Sequence, residues 1–244
     1  MPARRKAGPV RSVALLSGGL DSVVATAAAA AEGEVALAIT FDYGQRSAGR
    51  EASAARAAAG DLGVAWRCVA LPWLAELLPA ALARGGPEPP RPGQGELDDP
   101  GRGVERAKAV WVPNRNGVFV NAAAAFAESL GAAAVVAGFN LEEAAAFPDN
   151  SRAYMRRATA ALALSTLSGV RVVSPTAGLS KTGIARLGIR LGAPLRRVWS
   201  CYCDGRTMCG RCEGCARLVR ALADGGVPKD RWPPGCAARV EPDR

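Results

Sequence analysis

Residues 12–16 form a short apolar run. They are followed at once by the turn Ser17-Gly18-Gly19-Leu20 and then by DSVVATAAAAA, an alanine-rich stretch with Asp21 and Ser22 at its start. The run reads as a buried strand and the stretch as a helix whose N-terminus carries the acidic residue. A strand that feeds a helix through a glycine-bearing turn opens a parallel α/β sheet, and the rest of the chain follows suit. Strands are expected at 35–41, 67–71, 133–138 and 170–173. Helices are expected at 50–62, 74–82, 116–130, 151–167, 180–191 and 211–222, with Ser180 opening its helix. Residues 84–104 are Pro/Gly-rich and polar and read as a loop. Strands alternating with helices imply a parallel sheet covered on both faces.

The turn suits an anion. Glycines let the backbone approach a phosphate, and the N–H groups of a helix start point toward it. Ser17 and Ser22 add hydroxyl donors. Asp21 repels phosphate directly but makes sense as a ligand of Mg²⁺ bridging phosphates, since hard cations take oxygen ligands. The turn has no lysine and is not a Walker A loop, and it is not GxGxxG. It matches SGGxDS, the loop with which ATP-pyrophosphatases hold pyrophosphate while AMP is transferred.

The remaining composition narrows the partners. The 244-residue chain is 49% hydrophobic, enough for one α/β domain with an ample core. Its formal charge is +9, but the arginines are scattered and aromatics are only 5%, so a small anionic ligand is expected rather than nucleic acid. No run is long enough to span a membrane, and the basic start is followed only by VALL, so a cytoplasmic protein is expected.

Five of the seven cysteines fall within 201–215. Such clustering argues for a metal rather than a disulfide framework. Cys201, Cys209, Cys212 and Cys215 read C-x7-C-x2-C-x2-C, four soft ligands suited to tetrahedral Zn²⁺ in a structural role. A set with Cys203 in place of Cys201, and an iron–sulfur cluster on the same thiolates, are the alternatives. Arg206, Arg211 and Arg217 stand close in sequence to offset the charge. Cys68 is expected in the core and Cys236 as an exposed tail thiol.

Six segments occur in order: SGGLDS (17–22), FDYGQR (41–46), VPNRN (112–116), FPDNS (147–151), SPTAGLSKTGI (174–184) and WSCY…CGRCEGC (199–215). Together they resemble the 7-cyano-7-deazaguanine synthase (QueC) family over nearly the whole chain. The resemblance implies a Rossmann-like adenine-nucleotide α-hydrolase (HUP-type) domain at 11–197. A zinc loop and helix at 198–223 would pack on it, with tails at 1–10 and 224–244, in a homodimer. It implies conversion of 7-carboxy-7-deazaguanine and ammonia into the nitrile with two ATP. It also supports Cys201 over Cys203 as the first ligand.

By the same resemblance, Leu16, Ser17, Gly18, Gly19, Leu20, Asp21 and Ser22 hold pyrophosphate and Mg²⁺, and Asp42, Tyr43, Gln45, Arg46, Arg115 and Asn116 line the nucleotide. Tyr43, Asn116, Gly138, Asn140 and Asp149 would meet the substrate. Asp21, Ser22, Arg46 and Lys181 would act in catalysis. The chain contains no histidine, so no imidazole serves as a base. The chain departs from the family's common pattern at Ser47, Asn150 and 202–208. This leaves open a related ligase that couples the same acid to another amine, and the +9 charge leaves open a tRNA-modifying pyrophosphatase.

Overall fold

The structure is a computed structural model and describes residues 10–236 apart from 90, 93–95, 98–104 and 106. The expected basic tail before residue 10, much of the 84–104 loop and the end of the C-terminal tail lie outside the described residues.

Five strands, β1 (Arg11–Leu15), β2 (Glu34–Asp42), β3 (Trp66–Ala70), β4 (Ala134–Val136) and β5 (Arg171–Val173), form one sheet in the order β3-β2-β1-β4-β5. Every neighbouring pair is parallel, with Val13 opposite both Leu37 and Val135 at the centre. Helices α1 (Leu20–Glu32), α2 (Ala48–Asp61), α3 (Arg115–Ser129), α4 (Leu141–Ala146), α5 (Arg152–Ser165), α6 (Lys181–Arg190) and α7 (Glu213–Asp224) connect or follow them. This is the expected Rossmann-like parallel sheet.

Burial on both faces explains the apolar strands. One core joins Leu16, Val23, Val24 and Ala38 to alanines of α2, Ile184 of α6 and Leu218 and Leu222 of α7. The other joins Val13, Ile39, Phe41 and Val135 to Val120 and Ala123 of α3 and Leu162 of α5. Cys201, Cys212 and Cys215 belong to the first core, so the cysteine loop packs on the body that carries α1.

Four expectations are corrected. Residues 74–82 are not an α-helix: a 3-10 turn covers Pro72–Leu77, and Leu78 is extended at φ −69°, ψ 133°. Leu78 precedes Pro79, and a residue before proline is driven out of the α region. Helix α4 was not expected, because six residues between Asn140 and Pro148 are too few to show a period. Cys68 is exposed, since β3 is an outer strand of the sheet. Cys236 is 3% exposed and packs in the same core as Trp232. No helix among the described residues is long and apolar enough to cross a membrane.

Candidate active site

Strands β1 and β4 lie side by side, and the chain leads from β1 to one side of the sheet and from β4 to the other. In such sheets ligands bind in the crevice beyond the carboxyl ends at this reversal. Ser17–Ser22 follows β1 there, and Gly138 and Asn140 follow β4. A Cβ on Gly138 would lie 2.6 Å from the Ser22 nitrogen, so only glycine lets the end of β4 rest against the start of α1. Gly18 adopts φ +83°, and a Cβ there would lie 2.9 Å from Ala54 Cβ and from the Glu51 carbonyl. The turn is therefore glycine on both conformational and steric grounds.

Gly19 caps α1 without a side chain, so the cap itself offers no side-chain bond to the first N–H groups of the helix. The two serines hold the turn's shape. Ser22 Oγ donates to the Gly19 carbonyl at 3.0 Å, accepts from the Ser17 N–H at 3.2 Å and lies 3.1 Å from Ser17 Oγ.

Asp21 is the centre of the charged group. Its Oδ2 accepts from Lys181 Nζ at 2.6 Å and from Asn140 Nδ2 at 3.2 Å. Its Oδ1 is buried and has no partner among the described residues. Lys181 Nζ also donates to Glu143 Oε1 at 2.7 Å. Asn140, fully buried, caps α4 by accepting the Glu143 N–H at 2.8 Å, so one amide aligns both carboxylates. Ser180 caps α6 by accepting from Gly183 N–H, which sets Lys181 at the first helical position.

Burial pushes the Asp21 carboxyl above the usual carboxylate range, against the pull of Lys181. Burial alone would lower Lys181, but Asp21 and Glu143 hold it above the ordinary lysine value. Burial would likewise raise Glu143, and Lys181 outweighs it, so Glu143 sits below its ordinary value.

The end of β2 is differently built. Asp42 Oδ1 accepts the Gly44 N–H at 3.0 Å. Gln45 is 2% exposed, accepts the Tyr43 N–H and donates to the Phe41 carbonyl and to Glu51. The Arg46 guanidinium donates to the carbonyls of Ala83, Gly86 and Pro87, the last two at 2.6 and 2.9 Å. Tyr43 packs on Phe119 with ring centroids 5.5 Å apart, and its hydroxyl accepts from Arg115 Nη1 at 3.3 Å. Asn114, which precedes Arg115, is the sole non-glycine with positive φ among the described residues. Asp149 accepts from the Asn116 and Asn150 side chains, and burial raises its carboxyl despite nearby Arg115. The chain thus gathers Asp21, Asn140 and Lys181 in one group and Tyr43, Arg115, Asn116 and Asp149 in another. The donors and acceptors of Gln45 and Arg46 engage the protein itself. Glu143 was missed in the sequence, where Glu142-Glu143 looks like ordinary surface charge; its spacing from Asn140, a cap and its third following residue, is the signal that places it.

The sulfurs of Cys201, Cys209, Cys212 and Cys215 all lie within 4.8 Å of one another, with Cys209–Cys215 and Cys201–Cys212 both at 3.9 Å. A tetrahedral ion with metal–sulfur bonds of about 2.3 Å sets sulfurs about 3.8 Å apart, so the cluster has the size of one four-thiolate metal site. Backbone N–H groups of Cys203 and Cys209 point at Cys201 Sγ at 3.3 Å, and that of Cys212 at Cys209 Sγ at 3.3 Å, which supports thiolate charge. Cys203 stands outside this group of four. Trp199, just before the loop, donates its backbone N–H to the Gly18 carbonyl at 2.8 Å and so joins the cysteine loop to the turn after β1.

The profile described as "Queuosine biosynthesis protein QueC" matches residues 11–226. The chain belongs to the QueC family. The match spans the chain from β1 through α7, the stretch that holds both groups above. Among QueC relatives, the 7-cyano-7-deazaguanine synthase of Pelotomaculum thermopropionicum is 49% identical over 89% of this chain and 99% of its own length. That of Desulforudis audaxviator is 50% identical over 89% of this chain and 98% of its own. A relative of the same name from Methanosarcina mazei is 44% identical over 89% of this chain and 96% of its own.

Proposed function

We propose that this chain is a 7-cyano-7-deazaguanine synthase, a ligase that forms carbon–nitrogen bonds at the expense of ATP. The observation that carries the reading is near-full-length identity of about half to relatives of that name, in a chain whose uncapped α1 turn sits at the sheet's switch point.

A carboxylate is a poor electrophile because oxide is a poor leaving group. In this reading a carboxylate oxygen of 7-carboxy-7-deazaguanine attacks the α-phosphorus of ATP and pyrophosphate leaves. Ammonia then attacks the acyl carbon, loses a proton and expels AMP, which leaves the amide. The amide oxygen attacks a second ATP, again releasing pyrophosphate. Loss of AMP and the N–H protons from that adduct gives the nitrile.

The N–H groups at the start of α1, with Ser17 and Ser22, would receive the phosphates, flanked by Leu16 and Leu20. Lys181 would turn from Asp21 toward phosphate oxygens. The buried, unpartnered Oδ1 of Asp21 is the group that fits Mg²⁺, which when bound supplies positive charge to the phosphates. Tyr43, Arg115, Asn116 and Asp149, with Gly138 and Asn140 on the rim, would hold the substrate, Asp149 accepting from guanine-like N–H groups. Asp42, Gln45 and Arg46 shape that rim. Zinc on the four cysteines would be structural, since four thiolates leave no position for water. Residues 11–197 would form the nucleotide domain and 198–223 its metal loop and helix. The family likeness supports a cytoplasmic homodimer, which light scattering of the pure protein checks; a monomer would overturn that part.

The decisive assay combines purified protein with ATP, Mg²⁺, ammonium and 7-carboxy-7-deazaguanine and follows products by mass spectrometry. AMP and the nitrile are expected. AMP with the amide as the final product, or no AMP, would overturn the reading.

A further inference from the structure

The phosphate-type turn is braced from outside the sheet, and the brace comes from the metal loop. The Gly18 carbonyl accepts the backbone N–H of Trp199 at 2.8 Å, a bond whose geometry depends on how the Trp199 ring is held. In a trans peptide the C=O and N–H point to opposite sides. Fixing the Gly18 carbonyl on Trp199 therefore aims the Gly19 N–H the other way. Among the described residues that N–H has only a long 3.4 Å contact, with Ser17 Oγ, and is left for an anion. On its remaining side the turn leans on α2 through Gly18. Its geometry is thus set from within by Ser17 and Ser22 and from outside by α2 and residue 199.

Trp199 is itself held at two places. Its ring N–H donates to the Cys201 carbonyl at 2.9 Å. The Arg50 guanidinium of α2 lies 5.7 Å from the ring centroid, within range of a cation–π contact. Cys201 is 1% exposed and supplies the first sulfur of the metal group. A two-residue arm therefore runs from the metal ligand to the peptide that must face pyrophosphate.

We propose that Trp199 is a positioning residue for nucleotide binding: it locks the Gly18–Gly19 peptide in the anion-receiving orientation and ties that orientation to the four-cysteine centre. The proposal rests on the reading of Ser17–Ser22 as the pyrophosphate site. Its ligand class is the pyrophosphate moiety, bound before any chemistry.

The test is Trp199→Phe, which keeps the ring and removes the link to Cys201, with Trp199→Leu as the stronger variant. Calorimetry of Mg-pyrophosphate binding to the metal-loaded protein is the first readout. It should weaken about 3–10-fold for Trp199→Phe, the worth of one hydrogen bond. KM for ATP should rise by a similar factor while KM for the deazaguanine acid and kcat stay within twofold. Metal content per chain and the melting temperature should match the parent. Unchanged pyrophosphate affinity and KM for ATP in Trp199→Phe would overturn the proposal, even if Trp199→Leu fails to fold. So would equal losses in KM for both substrates, which a purely structural role would give. Absence of pyrophosphate binding by the parent would instead sink the reading of the turn itself.

Discussion

The turn after β1 and the turn after β2 are neighbours that share a plan: a parallel strand, a glycine with positive φ, a short polar segment and a helix. They treat their polar groups oppositely. After β1 the helix start carries no side-chain cap, and one oxygen of Asp21 is buried without a partner among the described residues. After β2 the polar side chains are engaged within the protein: Asp42 with Gly44, Gln45 with three groups, Arg46 with three carbonyls. Buried polar groups are expensive to leave unmet, so the proposed function assigns the first turn to a ligand and gives the second turn's bonded groups a bracing part. Two motifs of similar appearance thus differ in how far their polar groups are met within the protein, and the proposal reads the first as a receiving site and the second as a scaffold.

The largest expected effect breaks the receiving side. Asp21→Ala should lower AMP release at least 100-fold, with bound metal and circular dichroism unchanged; the warrant is the loss of a charge placed at the reacting phosphates. Release within threefold of the parent would assign the turn to structure.

A smaller effect sharpens the scaffold side. Arg46→Ala removes charge-assisted bonds to Ala83, Gly86 and Pro87. It should cost about 2 kcal/mol in denaturant unfolding, while AMP release at saturating ATP falls less than 10-fold. A drop of 100-fold with stability intact would place Arg46 among the phosphate ligands.

The smallest effect lies in Glu143, which Lys181 holds below its ordinary pKa of 4.5. A depressed folded-state pKa means stability that is fully present above the unfolded value and is lost as the pH falls through the folded one. Glu143→Gln should therefore melt a few degrees below the parent at pH 7, with the gap closing as the pH drops below about 4.5. Asp21 has the opposite sign, because burial raises its pKa. Asp21→Asn should melt at or above the parent at pH 7. A gap for Glu143→Gln that widens in acid would refute the ion-pair account.

The strand, turn and helix around Ser17–Ser22 and the cysteine cluster were legible in the sequence, and the bonding after β2 was not. The β1–turn–α1 unit and the Cys201–Cys215 spacing are local patterns whose chemistry needs neighbours in the chain, and both elements lie within a residue or two of where they were expected. The bonds of Gln45 to Glu51 and of Arg46 to Ala83 and Gly86 could not be read in advance, because they depend on a fold-back that periodicity does not encode. Helix α4 and Glu143 were hidden for the same reason, since a six-residue helix leaves no repeat and its meaning comes from Asp21, more than a hundred residues away. Cys68 and Cys236 exchanged their expected places because exposure depends on strand order and on how the chain end packs, not on local hydrophobicity.

The central claim is that the turn after β1 presents the α-phosphorus of ATP to an acid's oxygen. Supplying 7-carboxy-7-deazaguanine with both carboxylate oxygens as ¹⁸O tests it directly. One labelled oxygen should appear in each of the two AMP molecules formed per nitrile, and none in pyrophosphate. Unlabelled AMP, or label in pyrophosphate, would contradict the account.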